Sequence, residues 1–178
     1  MRRLPLALLG LAVAFAASSA AAQQRLAPPT ERPFSIQGGL GFTADPDGFM
    51  IGLEGDYRFH ADWSFAPRMR ISFDDDLAIV ATTGNLRYWI DLEDFTGSVS
   101  DFSPFLQTGL GVSYIEKDDR RGDDDDAGLL LTIGGGVEAR LTDELSLTST
   151  MGFNIHPDDV LNENFFFSWE VAALRVRF

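Results

Sequence analysis

From Phe34 to Phe178, apolar and polar residues alternate in stretches of about 9–14 residues, each closed by a cluster of Asp, Gly, Pro or Asn. Side chains that change face at every residue mark extended strands, and no segment carries the 3.6-residue repeat of a helix. The pattern predicts eight antiparallel strands, at 34–43, 49–60, 63–73, 77–90, 103–115, 129–141, 145–155 and 165–178. In the second, Phe49, Ile51, Leu53, Gly55, Tyr57 and Phe59 share one side, and Met50, Gly52, Glu54, Asp56, Arg58 and His60 share the other. The third sets Trp63, Phe65, Pro67, Met69, Ile71 and Phe73 against Ser64, Ala66, Arg68, Arg70 and Ser72.

Which face meets water decides what such a sheet does. The polar face is rich in small residues, among them Ser35, Gly39, Gly41, Gly109, Gly111, Ser113, Thr132, Gly134 and Gly136, as a narrow interior requires. Aromatics of the apolar face gather near strand ends: Phe34, Phe42, Phe49, Tyr57, Phe59, Trp63, Phe65, Phe73, Tyr88, Tyr114, Phe153 and Phe178. Rings at two interfaces with aliphatics between them are the layout of a barrel in a bilayer. Hydrocarbon offers the backbone no hydrogen-bond partner, so such a sheet crosses it only when every edge is paired. The expected fold is therefore all-β: an eight-stranded antiparallel up-and-down transmembrane β-barrel over residues 34–178, its interior filled by side chains. The competing arrangement, with the faces reversed, is a soluble periplasmic lipid-binding barrel.

The N-terminus points to the compartment. "MRRLPLALLGLAVAFAASSAAAQQ" has Arg2 and Arg3, an apolar stretch from Leu4 to Ala17 and small residues ending at Ala22, the three parts of a secretory signal peptide. Residues 1–22 are expected to be removed, and 23–33, "QQRLAPPTERP", to form a Pro-rich periplasmic leader. The chain has no cysteine, so neither disulfides nor thiolate metal sites are expected. Its net charge of −13 argues against a nucleic-acid partner, which requires a basic face.

The last residues, "WEVAALRVRF", place Leu174, Val176 and Phe178 on one face with an aromatic at the end. They resemble the assembly signal at the C-terminus of bacterial outer-membrane barrels. "GGGVEARLTDELSLT", residues 134–148, is similar to the penultimate periplasmic hairpin of small outer-membrane barrels of the OmpA, OmpX and OmpW types. The resemblance implies a monomeric Gram-negative outer-membrane protein, inserted by the barrel-assembly machinery and surrounded by outer-membrane lipid and lipopolysaccharide. One residue departs from the pattern: Glu170 falls on the lipid-facing parity of the last strand, tolerable only near an interface or beside a bulge.

With the apolar face outward, the lumen receives Glu54, Asp56, Arg58, Arg68, Arg70, Arg87, Glu138, Arg140, Arg175 and Arg177. Charges in so narrow a space must pair, so carboxylate–guanidinium networks are expected across strands two, three, four, six and eight. Their functional counterpart is a narrow porin-like path for small solutes, anions in particular. With both termini in the periplasm, the outer loops would be 44–48, 74–76, 116–128 and 156–164, which carry most of the acidic excess. Such loops are ordinarily solvated; their specific reading is divalent-cation binding beside lipopolysaccharide phosphates.

Catalysis is not expected. Lipid-acyl hydrolases need a nucleophile with a base in reach. Of the two histidines, His60 falls on the lumen side as part of the polar plug, and His156 opens an outer loop with Ser149 on the wrong face to serve it. No cofactor is implied. The sequence thus predicts a small outer-membrane barrel serving envelope integrity or surface interaction.

Overall fold

The computed structural model describes residues 32–74, 77–92, 101–119, 122–160 and 163–178. The expected signal peptide, and the leader up to residue 31, lie outside the described residues. Eight strands follow in order: β1 (Phe34–Ala44), β2 (Gly48–Arg58), β3 (Trp63–Asp74), β4 (Leu77–Trp89), β5 (Phe102–Asp119), β6 (Gly122–Arg140), β7 (Leu145–Val160) and β8 (Glu163–Arg177). Each pairs antiparallel with the next, and β1 pairs with β8, which closes the barrel and leaves no edge.

Orientation of side chains follows the alternation. Leu53, Leu106, Leu110, Val112 and Ile133 are more than half exposed on the outer wall, whereas Gln37, Glu54, Arg87, Glu138 and Arg175 are almost wholly enclosed. The soluble alternative required the opposite arrangement and is overturned by this one. Aromatic pairs mark both ends of the apolar wall. Phe34 stacks on Tyr57 at 4.7 Å and Trp63 meets Tyr88 at 5.0 Å near the chain termini; Phe42 meets Trp169 at 5.4 Å and Phe49 meets Phe73 at 5.5 Å at the opposite, hairpin end.

Two expectations about loops are corrected. Residues 116–119 continue β5 and 122–128 belong to β6, with Glu116 opposite Asp125 and Lys117 opposite Asp124. Likewise β7 runs on to Val160 and β8 resumes at Glu163, so most of 156–164 is strand. The change from apolar to acidic residues marks where solvent begins; the backbone ladder continues in water for as long as each residue adds a bond to its partner.

Glu170 is also resolved. Val171 and Ala172 both face outward, and the β8 register shifts against β1 at Leu40/Gly41 and against β7 at Thr148/Thr150. This bulge reverses the parity of everything before it, so Glu170 points into the lumen and is 2% exposed.

The lumen has two zones. Toward the termini it is ionic; toward the hairpins it holds apolar contacts, Ile79 on Ile115 and Ala81 with Leu130 and Phe166. Counting from the charged positions of each strand places these residues inward, although their type alone suggests lipid.

Candidate functional site in the barrel lumen

Glu54, on the inner face of β2, is the centre of the ionic zone. Its carboxylate accepts from Arg68 Nε of β3 at 2.6 Å and is also ion-paired with the terminal nitrogen of that guanidinium. Arg87 of β4 donates to both its oxygens at 2.9 Å, and Arg175 of β8 reaches Oε1 at 3.0 Å. The network continues through each arginine. Arg87 also donates to Asp56 Oδ2 at 3.1 Å and Gln107 Oε1 at 3.0 Å, while Arg175 Nη1 lies 3.1 Å from Glu138 Oε2 on β6. Glu138 is paired in turn with Arg177, which donates to Ser146 Oγ at 2.6 Å. Strands β2, β3, β4, β6 and β8 are thereby tied across the interior.

Gln37 extends the network to the bulge. Its carbonyl accepts from Arg175 Nη2 at 2.7 Å, and its amide donates to Glu170 Oε1 at 2.9 Å. Space for that carboxylate is made by two glycines: a Cβ on Gly52 would sit 2.2 Å from Glu170 Oε2, and one on Gly39 would sit 2.8 Å from Glu170 Cδ. Glu170 could have been placed here from sequence only by recognising the bulge.

Arg70 belongs to a separate cluster, donating to Ser168 Oγ at 2.6 Å and Asn154 Oδ1 at 2.7 Å. Arg140 is half-buried at the rim, on the same inner side of β6 as Glu138. Arg58 lies over the indole of Trp89 at 4.2 Å, and Arg87 over Phe105 at the same distance. Both rings stand among the charges, 4% and 2% exposed. Their parity with Arg87 and Gln107 gave the signal for this position, and their type hid it. A guanidinium on a ring face gains about 0.5–2 kcal/mol where carboxylates are too few.

They are too few here. Arg58, Arg68, Arg70, Arg87, Arg175 and Arg177 are buried, against Glu54, Asp56, Glu138 and Glu170. The enclosed lumen therefore carries an excess of two positive charges, before Arg140 is added, inside a protein whose overall charge is −13.

Both histidines differ from expectation. His60 is 64% exposed beside Asp62, because β2 ends at Arg58 and the chain turns outward before the lumen side is reached again. His156 is not in a loop: it faces inward from β7, 2% exposed, with Nε2 2.7 Å from Ser113 Oγ of β5 and its ring against Phe166. The pairing of a histidine with a serine thus exists, between residues distant in sequence and on the lumen side of the wall. At the end of the chain, Leu174, Val176 and Phe178 lie on the outer wall, and Phe178 N donates to Phe34 O at 2.9 Å.

Comparison with known proteins agrees with this geometry. A family model for the outer membrane protein β-barrel domain matches residues 7–166. No curated protein matches the chain by sequence. Among solved structures, neisserial surface protein A is similar with a TM-score of 0.67 at 19% identity, covering 82% of this chain and 97% of that one. The N-terminal β-barrel domain of Pseudomonas aeruginosa OprF gives 0.65 at 13% identity, over 82% and 96%. The outer membrane enzyme PagL gives 0.53 at 9% identity, over 81% and 99%. At these identities the structures share the fold alone, but the family model spans most of the chain. The chain belongs to the outer membrane β-barrel protein family and resides in the outer membrane.

Proposed function

We propose that this protein is a closed, non-enzymatic structural barrel that serves envelope integrity or surface interaction. The observation that carries this reading is the ionic network centred on Glu54, which links five strands across the lumen with side chains that are nearly all enclosed. A water path through that section would require several of these pairs to open together, leaving charges uncompensated at a cost of several kcal/mol each. The Ser113–His156 pair faces the lumen, whereas lipid acyl chains contact the outer wall, so the pair supports no lipid-hydrolysing role. In this reading the termini face the periplasm, the acidic hairpins face outward beside lipopolysaccharide with divalent cations as counter-ions, and the assembly machinery engages β8.

A second reading, a narrow anion channel, is favoured by one feature: the excess of guanidinium over carboxylate in the lumen. Planar-bilayer recording on the purified, refolded barrel separates the two. Electrical silence at all applied voltages is the expected result, and discrete anion-selective steps would favour the channel. A deletion strain with normal resistance to detergents and bulky antibiotics would remove the role in envelope integrity.

A further inference from the structure

Excess positive charge in the lumen is not spread evenly; it collects at the terminal end. A small cleft there, open to solvent, is lined by Arg32, Ser35, Arg58, Trp89, Arg175 and Arg177 together with Pro33 and one carboxylate, Asp56. Asp56 is already engaged, by Arg87 at 3.1 Å and by Ser64 at 2.9 Å. Arg175 and Arg177 share Glu138, and Arg32 holds Glu144 at 2.8 Å near the surface.

Arg58 is different. It is 9% exposed, its Nε is buried without a hydrogen-bond partner, and among the described residues no carboxylate comes within ion-pairing distance of it. The face of Trp89 packs against it. A guanidinium enclosed to this degree ordinarily has a bidentate acceptor, because an unsatisfied buried charge is costly. Donors converge on the cleft from β1, β2 and β8 and from the segment preceding β1, so they do not lie in one plane. A planar carboxylate would use two of these directions, whereas a tetrahedral oxyanion presents acceptors to several at once.

We propose that this cleft is a binding site for a phosphate group, with Arg58 as its principal ligand and Arg177, Arg32 and the Ser35 hydroxyl around it. The group is supplied either by a free phosphate compound or by a phospholipid headgroup from the adjoining leaflet.

Trp89 supplies the readout. Its ring underlies Arg58 at 4.2 Å, so an anion that draws on the guanidinium alters the surroundings of the indole. With Trp63→Phe and Trp169→Phe, Trp89 is the sole tryptophan, and the full barrel refolded in uncharged maltoside micelles is titrated with inorganic phosphate against chloride at matched ionic strength. A saturable fluorescence change with phosphate and none with chloride is expected. Arg58→Gln should weaken it about tenfold or more, as loss of a charge-assisted bidentate contact does, and Arg58→Lys, which keeps charge without the fork, should fall between. Chloride equal to phosphate in the parent barrel, a measurement that needs no Arg58 variant to fold, would overturn the site. So would unchanged affinity in a folded Arg58→Gln barrel. Vesicles identify the source. If the headgroup is the occupant, Trp89 in phosphatidylglycerol vesicles already shows the bound signal and free phosphate adds nothing. If it is a soluble phosphate, the titration is the same there as in phosphate-free galactolipid vesicles.

Discussion

At the scale of single residues, the protein rests on a few side chains whose surroundings leave little freedom. Glu54 is ion-paired with three arginines at once, so Glu54→Gln leaves buried cations without their shared counter-charge. Removing one member of a buried ion pair costs about 3–5 kcal/mol, and denaturant unfolding of the vesicle-inserted barrel should show a loss of that order. Neighbouring glycines make a sharper contrast. A Cβ on Gly38 meets nothing nearer than 3.9 Å, whereas one on Gly39 comes within 2.5 Å of Ala173 Cβ and 2.8 Å of Glu170 Cδ. Gly38→Ala should leave stability within about 0.5 kcal/mol, and Gly39→Ala should cost about 1–3 kcal/mol in the same assay. Most of the lumen charges could be read from sequence, because alternation assigns a face to every residue once one face is known. Glu170 and His156 could not, since one is placed by a bulge and the other by a strand continuing into acidic sequence; Trp89 had the inner parity of Arg87, but its aromatic type pointed to lipid.

The strands themselves show the same division. Existence, number and direction of all eight followed from period-2 alternation between turn clusters, and the ends of β1 to β4 from those clusters. The same holds for the terminal-side ends of β5 to β8 but not for their hairpin ends, because hydrogen bonding there outruns the apolar band. The bulge in β8 is the one local element on which a whole face depends. Deleting Ala172 would restore strict alternation and turn Glu170 toward lipid, near the aliphatic belt, or else force the terminal residues of β8 to slip against β1. Either outcome should abolish the heat-sensitive gel mobility of the folded barrel. A folded Ala172-deletion variant with parental stability would show that the bulge is dispensable.

For the molecule as a whole, the governing relation is between a polar, positively charged interior and an apolar exterior, inside a protein of strongly acidic composition. Function is less legible than fold at this scale, because closed barrels of one architecture include, among the similar structures, both a surface protein and an enzyme. What this chain adds is its own lumen: an ionic network around Glu54, an arginine at the terminal mouth with no ion-paired carboxylate among the described residues, and a histidine–serine pair beyond. All of these assignments depend on which side of the wall meets hydrocarbon. The parent chain has no cysteine, so single spin labels can be introduced without background, at Leu53, Ile133 and Met151 on the outer wall and at Ser113 and Thr132 on the inner one. In lipid vesicles the outer labels should be relaxed by membrane-soluble oxygen and not by an aqueous nickel chelate, and the inner labels should be shielded from oxygen. Inner labels relaxed by oxygen, with outer labels open to the chelate, would contradict the account.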